Sequence, residues 1–304
     1  MKVFAVIVTY NAMRNDWIRK CLDSLDKSKM PVNAILIDNG SKDDTVTFVN
    51  NNYKNVVCLP QNKNLGFGQA NNIGIKYAID NKAAYVLLLN QDATIGEDAV
   101  DKMVKASKGM ALVSPVQRNG DGTTLDKVFC QKIAVAEQNI IEQALINKKV
   151  DDICKIGFVS AACWLIPITI IETVGGFNPL FFHYGEDDNY HQRVEYHGFD
   201  TMLATDACMN HDRTLHGNQQ MFNKNLIRRD LLNILCNVNW KSKKQTIHLL
   251  KLLKKCYCKY LPEKRYIPGN LTLQLLWALS NCRKIRKSRI NETKKGLTWI
   301  STSL

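Results

Sequence analysis

Over the first 115 residues, short apolar runs alternate with stretches of helical spacing, and this constrains the fold more than any other feature. The apolar runs fall at 2–9 (KVFAVIVT), 34–38 (AILID), 56–59, 85–89 (YVLLL) and 111–114. Continuous runs of about four to eight apolar, β-branched residues mark strands buried on both faces, which have no solvent side to alternate toward. Between the first two runs, Ile18, Cys21, Leu22 and Leu25 recur at helical intervals within residues 14–27. A second helix opens at Ser41 with Asp43 and Asp44 at its N-terminal end, where the helix dipole favours negative charge. A third helix covers 70–79. Such repetition predicts an α/β fold, a mostly parallel sheet with helices on both faces.

The pattern loosens over 118–152, around an Asn-Gly-Asp-Gly turn. It returns with a strand-like run at 157–166, helical stretches at 168–174 and 187–197, and a short strand at 201–204. Charge supplies the one boundary. Residues 224–304 hold 19 Lys and Arg against 3 Asp and Glu, while residues 1–223 hold 22 against 25. The formal net charge of +13 is therefore a property of the last 81 residues. Two units are expected, a catalytic domain at 1–223 and a basic helical region at 224–304. At 45% hydrophobic residues the chain is no disordered tail. No apolar run reaches the ~18 residues of a spanning helix, and the N-terminal run is too short for a secretory signal. A cytoplasmic protein is expected, with its ten scattered cysteines reduced and acting as small core hydrophobes.

Open parallel sheets bind ligands outside the carboxyl ends of their strands. Here those ends read Thr9-Tyr10-Asn11, then Asp38-Asn39-Gly40-Ser41, then Asn64-Leu65-Gly66, then Asn90-Gln91-Asp92. Asp38 also suits a helix cap or a turn. Gly66-Phe67-Gly68 lacks the third glycine of a dinucleotide fingerprint and follows the wrong strand, so hydride transfer is not expected. The densest cluster is Glu186-Asp187-Asp188, three acids at the start of a helix and preceded by aromatics. Acids at a helix start are common, yet adjacent carboxylates also raise one another's pKa and can poise one as a general base. Arg193, further along the helix, could pair with them.

Taken in order, TYN, IDNGS, NxGFGxAxNxG from Asn64 to Gly74, LLLNQDA and GGFNxxFFxxGEDDxxxxR resemble inverting family 2 glycosyltransferases of the GT-A fold, nearest the rhamnosyltransferase-like members. The resemblance spans residues 3 to about 217. It implies that Thr9, Tyr10 and Asn11 cradle a nucleotide, that Asp38 contacts its base, and that Asn64 and Gly66 line it. It places Asn90 and Asp92 at the Asp-x-Asp-type motif, with Asp92 binding Mg²⁺ or Mn²⁺. Asp187 matches the catalytic base, beside Glu186. His211 falls where relatives supply a further metal or phosphate ligand, with His216 as its competitor, and Asn189 replaces an acid found in many relatives. The implied activity is transfer from a nucleotide diphosphate sugar, such as dTDP-rhamnose or a UDP-hexose, to a lipid-linked saccharide. A nucleotidyltransferase would need a Gly-rich triphosphate loop that TYNAMRND does not offer, and the intact acids speak against an inactive sugar-nucleotide binder.

In the basic region, Leu249, Leu252, Leu253, Tyr257 and Leu261 trace an apolar stripe flanked by Lys251, Lys254, Lys255 and Lys259. That pattern predicts a helix lying on an anionic membrane, here the inner face of the cytoplasmic membrane. The competing expectation is a helix packed on the catalytic domain. No nucleic-acid recognition motif accompanies the charge.

Overall fold

The computed structural model describes residues 1–146, 149–213, 224–260 and 268–300. The strands β1 (Val3–Thr9), β2 (Val32–Asp38), β3 (Val57–Pro60) and β4 (Tyr85–Leu89) lie parallel in the order β3-β2-β1-β4. Helices α1 (Trp17–Asp26), α2 (Thr45–Asn52) and α3 (Phe67–Asp80) connect them. Residues 14–16 form a separate 3₁₀ turn, because Asn15 and Asp16 take positive φ and break the helical run. Beyond β4 the sheet becomes mixed. The strand β5 (Ala93–Ile95) and helix α4 (Ala99–Ser107) lead to β6 (Ala111–Asn119). The loosely patterned stretch holds two further helices, α5 (Lys127–Ala136) and α6 (Gln138–Leu145), and a short strand β7 (Ile153–Lys155). Then follow β8 (Cys163–Pro167), α7 (Ile168–Val174), α8 (Glu186–Tyr196) and β9 (Asp200–His211).

β8 inserts antiparallel between β4 and β6, and β9 runs parallel to β6. The other edge of β9 takes β7 along its first half and β5 along its last three residues, both antiparallel. The parallel order expected from the sequence thus covers β1 to β4 and the β6–β9 pair, and antiparallel pairings join and flank them. β9 is three times the length of the expected strand at 201–204, because a register shift opposite Pro115 and Val116 lets pairing resume at Cys208. Its extension carries His211 to the start of β5, opposite Ala93.

Each strand feeds two cores, as a period of two requires. Val3, Ala5 and Ile7 face α1 and α4, with Leu36 and Leu87 from neighbouring strands. Phe4 and Val6 face the other layer, with Ile35, Val86 and Leu88 and residues of α3, α7 and α8.

The basic region is helical where described: α9 (Lys224–Leu235), α10 (Ser242–Tyr260), α11 (Pro268–Ser280) and α12 (Cys282–Glu292). Among the described residues, part of the apolar stripe of α10 is covered. Leu252 and Cys256 are buried against Ile227, Leu231 and Ile234 of α9, with Leu249 packed alongside; Leu261 lies outside the described residues. The chain end returns to the catalytic layer, where Ile300 is buried and the Gly176 amide donates to the Thr298 carbonyl at 2.8 Å. Among the described residues, no helix is long and apolar enough to cross a membrane.

Candidate active site

The first rim loop is built by side chains that hold backbone. The Thr9 hydroxyl donates to Asp38 Oδ1 at 3.0 Å, and both residues are buried at the ends of β1 and β2. The Ser41 amide donates to Asp38 Oδ2 at 2.9 Å and the Ser41 hydroxyl donates to Oδ1. Asp38 therefore shapes the 38–41 turn, as its alternative reading had it, and that turn in turn fixes Asn11, whose amide donates to Ser41 Oγ at 2.9 Å. The Asn11 Oδ1 accepts from the Lys42 amide at 2.8 Å. Tyr10 points outward with its ring 43% exposed, while its amide donates to Gln91 Oε1 at 2.8 Å. This bond ties the end of β1 to the Asn90-Gln91-Asp92 turn.

Asn64 plays a similar part in the next loop. Its Oδ1 accepts from the Gly66 amide at 2.8 Å and from Asn39 Nδ2 at 3.1 Å. Gly66 sits at φ +81°, and a Cβ there would collide with the Phe182 carbonyl. The chain that approaches Gly66 so closely is thus the 181–185 loop, which leads into α8.

Asp92 and His211 meet at the end of the sheet, Asp92 Oδ1 lying 3.2 Å from His211 Nε2 with both side chains buried. Asn90 joins them through its Nδ2, 3.3 Å from the same ring nitrogen. Its Oδ1 is buried without a partner among the described residues. Asp126, which the sequence reading did not single out, lies behind the ring with Oδ2 3.9 Å from His211 Nδ1 and 2.6 Å from Arg213 Nε. It caps α5 by accepting from the Val128 and Phe129 amides. An Asp opening a helical run was its only signal, and it fell in the loosely patterned stretch. His216 lies outside the described residues.

The acids open α8 at Gly185, which takes φ +87° and abuts the Arg229 side chain. The Ala161 amide approaches Asp187 Oδ2 at 3.4 Å, and the Asp188 amide donates to Oδ1 at 2.9 Å. The neighbouring Ala162 carbonyl accepts from the Asn90 amide at 3.0 Å. Two consecutive residues before β8 thus hold the Asp187 carboxylate and the Asn90 turn. Burial raises the pKa of Asp187 against these amides and the field of Lys132, which lower it. Burial and then the Asp187 charge raise Glu186 and Asp188 in the same way.

Arg193 does not pair with these acids. It lies fully buried at the far end of α7, donating to the Val174 carbonyl at 2.8 Å and the Gly176 carbonyl at 2.7 Å. Asn189 also turns away from the acids, its Nδ2 donating to Glu292 Oε1 of α12 at 2.9 Å. A cleft of about 150 Å³ opens beside Gly185, lined by Phe182, His183, Tyr184, Arg228 and Arg229.

The glycosyl transferase family 2 profile matches residues 4–175, more than half of the chain. The chain belongs to glycosyl transferase family 2. It is similar to N-acetylglucosaminyl-diphospho-decaprenol L-rhamnosyltransferase of Mycobacterium tuberculosis, with 24% identity over 235 residues, 68% of this chain and 75% of that protein. A low-salt glycan biosynthesis hexosyltransferase of Haloferax volcanii is 22% identical over 163 residues, 53% of this chain and 52% of that one. In fold it resembles crystal structures of S. aureus TarS 1-349. The complex with UDP gives a TM-score of 0.56 at 13% identity, and the complex with UDP-GlcNAc 0.59 at 14%; each covers 96% of this chain and 89% of the other. Membership makes the protein a glycosyltransferase, with the α/β architecture expected from its strand pattern.

A family 2 site of this kind invites a divalent cation. Among the described residues no three His, Cys, Asp or Glu side chains gather into a metal site. One carboxylate and one imidazole nevertheless meet there, with the side-chain amide of Asn90 beside the ring through Nδ2 and its oxygen buried without a partner among the described residues. Oxygen with a single nitrogen suits Mg²⁺ or Mn²⁺ when phosphate oxygens complete the shell.

Proposed function

We propose that the protein transfers a sugar from a nucleotide diphosphate sugar, a dTDP-rhamnose-like or UDP-hexose donor, to a lipid-linked saccharide in surface polysaccharide synthesis, inverting the anomeric centre. The mycobacterial relative, named for rhamnosyl transfer to a diphospho-decaprenol sugar, supports the choice of acceptor. The observation that carries the reading is the attachment of Asp187 and the Asn90 turn to the adjacent residues Ala161 and Ala162.

The Thr9–Asn11 loop, the 38–41 turn and the Asn64–Gly66 loop frame the nucleotide. Asp92, His211 and Asn90 would hold the cation, which supplies positive charge beside the departing diphosphate. Asp187 takes the proton of the acceptor hydroxyl as that oxygen attacks the anomeric carbon from the face opposite the nucleotide. Its two oxygens, held by amides, fix its direction, and its burial raises its proton affinity toward that of a working base. Glu186 beside it positions the acceptor. Phe182 and Tyr184, each exposed on the rim of the Gly185 cleft, offer flat faces to a sugar.

Asp187→Asn keeps size and hydrogen bonding but cannot accept the proton. It is expected to lower turnover by ~10²–10⁴ while donor affinity stays within a few-fold. Asp188→Asn is expected to cost far less, and chelating the cation to weaken donor binding in all forms. Equal, small losses at 187 and 188 would refute the base assignment, and donor binding indifferent to Mn²⁺ would refute the metal role.

A further inference from the structure

Helix α11 is 13 residues of PGNLTLQLLWALS without a single charged side chain. Its inner face packs through Leu271 and Leu275 toward α9 and α10, and through Trp277 and Ala278 toward Ile285 of α12. Its outer face carries Leu273, Leu276 and Leu279 at 59%, 56% and 69% exposure. Their spacing of three residues sets them along one side of the helix. An exposed apolar ridge of this kind marks an interaction surface. The next helix continues with Arg283, Lys284, Arg286 and Lys287, all exposed, while Ile285 and Ser288 face inward. Helix α10 adds exposed Lys251, Lys254 and Lys255 around Leu250.

We infer that α11 and α12 form the membrane-docking surface of the protein, the three leucines entering the interface of an anionic bilayer and the α12 cations meeting its headgroups. Charge complementarity selects this occupant, because anionic lipid offers negative charge beside an apolar layer. At ~1.5 Å per residue α11 is about 20 Å long, too short to span the ~30 Å hydrocarbon core. It lies on the surface rather than through it.

The surface is coupled to the site. Arg228 of α9 donates through Nε to Gln274 Oε1 of α11 at 2.8 Å and stacks its guanidinium over Trp277 at 4.2 Å. The same arginine lines the cleft beside Gly185. Docking through α11 would thus bear on a helix whose inner face holds a wall residue of that cleft. The docking itself does not depend on the proposed reaction.

The test uses the full chain and sedimentation with vesicles of phosphatidylcholine, with or without about 30% phosphatidylglycerol. The native protein is expected to bind the anionic vesicles and to release as salt rises, since screening shortens the reach of surface charge. Leu273→Ser, Leu276→Ser and Leu279→Ser combined are expected to weaken binding by about tenfold or more. Replacing Arg283, Lys284, Arg286 and Lys287 by Gln is expected to abolish the preference for phosphatidylglycerol. Leu276→Trp is expected to tighten binding, a gain that misfolding cannot imitate. Donor hydrolysis in solution stays unchanged in the leucine variant, which separates this result from any failure of the catalytic reading. Native-like binding by the serine variant would overturn the inference. So would a native dimer that the serine substitutions dissociate, because a second copy would then cover the ridge.

Discussion

Asp187, Glu186 and Asp188 share the first turn of α8, where burial raises all three pKa values and the Asp187 charge raises its two neighbours further. A carboxyl whose pKa is higher folded than unfolded binds more protons in the folded state, so stability falls as pH climbs above the ordinary value of about 4. The deficit is complete once the pH exceeds the folded pKa. Asp187→Asn removes one such group and relieves its neighbours, against the smaller loss of its attraction to Lys132. The variant is therefore expected to melt higher than the native protein at pH 8, with the difference shrinking toward pH 4. Thermal unfolding across that range checks it; a variant less stable at pH 8 than at pH 5, relative to native, would contradict the burial argument. A higher melting temperature together with the loss of turnover proposed above would mark a group held at a cost for proton transfer.

At the level of elements, the 181–185 loop is fixed from both sides. Gly66 receives the Phe182 carbonyl, and Gly185 receives the Arg229 side chain. Gly66→Ala would bring a Cβ into backbone at a positive φ, a combination expected to cost about 1–3 kcal/mol. The loop must move to relieve it, and α8 begins where the loop ends. A lower melting temperature together with a fall in turnover is the expected result; turnover unaffected at full stability loss would mean that the loop does not position Asp187. The motif pattern around Gly66 was legible in the sequence, but its structural partner was not. A glycine's neighbour 116 residues away leaves no local trace.

For the whole molecule, the last helix is part of the catalytic layer. Glu292, buried in α12, accepts from Asn178 at 2.6 Å and from Asn189 of α8 at 2.9 Å, while Ile285 packs on Phe181. Deleting residues 281–304 would leave Asn178 and Asn189 without that carboxylate and expose the Phe181 cluster, each loss a known route to large destabilisation. A marked drop in melting temperature or insoluble expression is expected, and an unchanged melting curve would show that the packing contributes nothing. By itself the sequence determined the parallel strands β1 to β4, the rim residues at their ends and the acid cluster at 186–188, because strand burial, turn chemistry and helix starts are encoded in neighbouring residues. Only the tertiary structure decided that Arg193 serves α7 rather than the acids, and that Asp126 backs His211. It also put Leu249 and Leu252 of the α10 stripe against α9 and left Leu273, Leu276 and Leu279 of α11 outside. α10 carries lysines beside its leucines and α11 carries no charge, yet which apolar face of each finds a partner is chosen by packing between segments far apart in the chain.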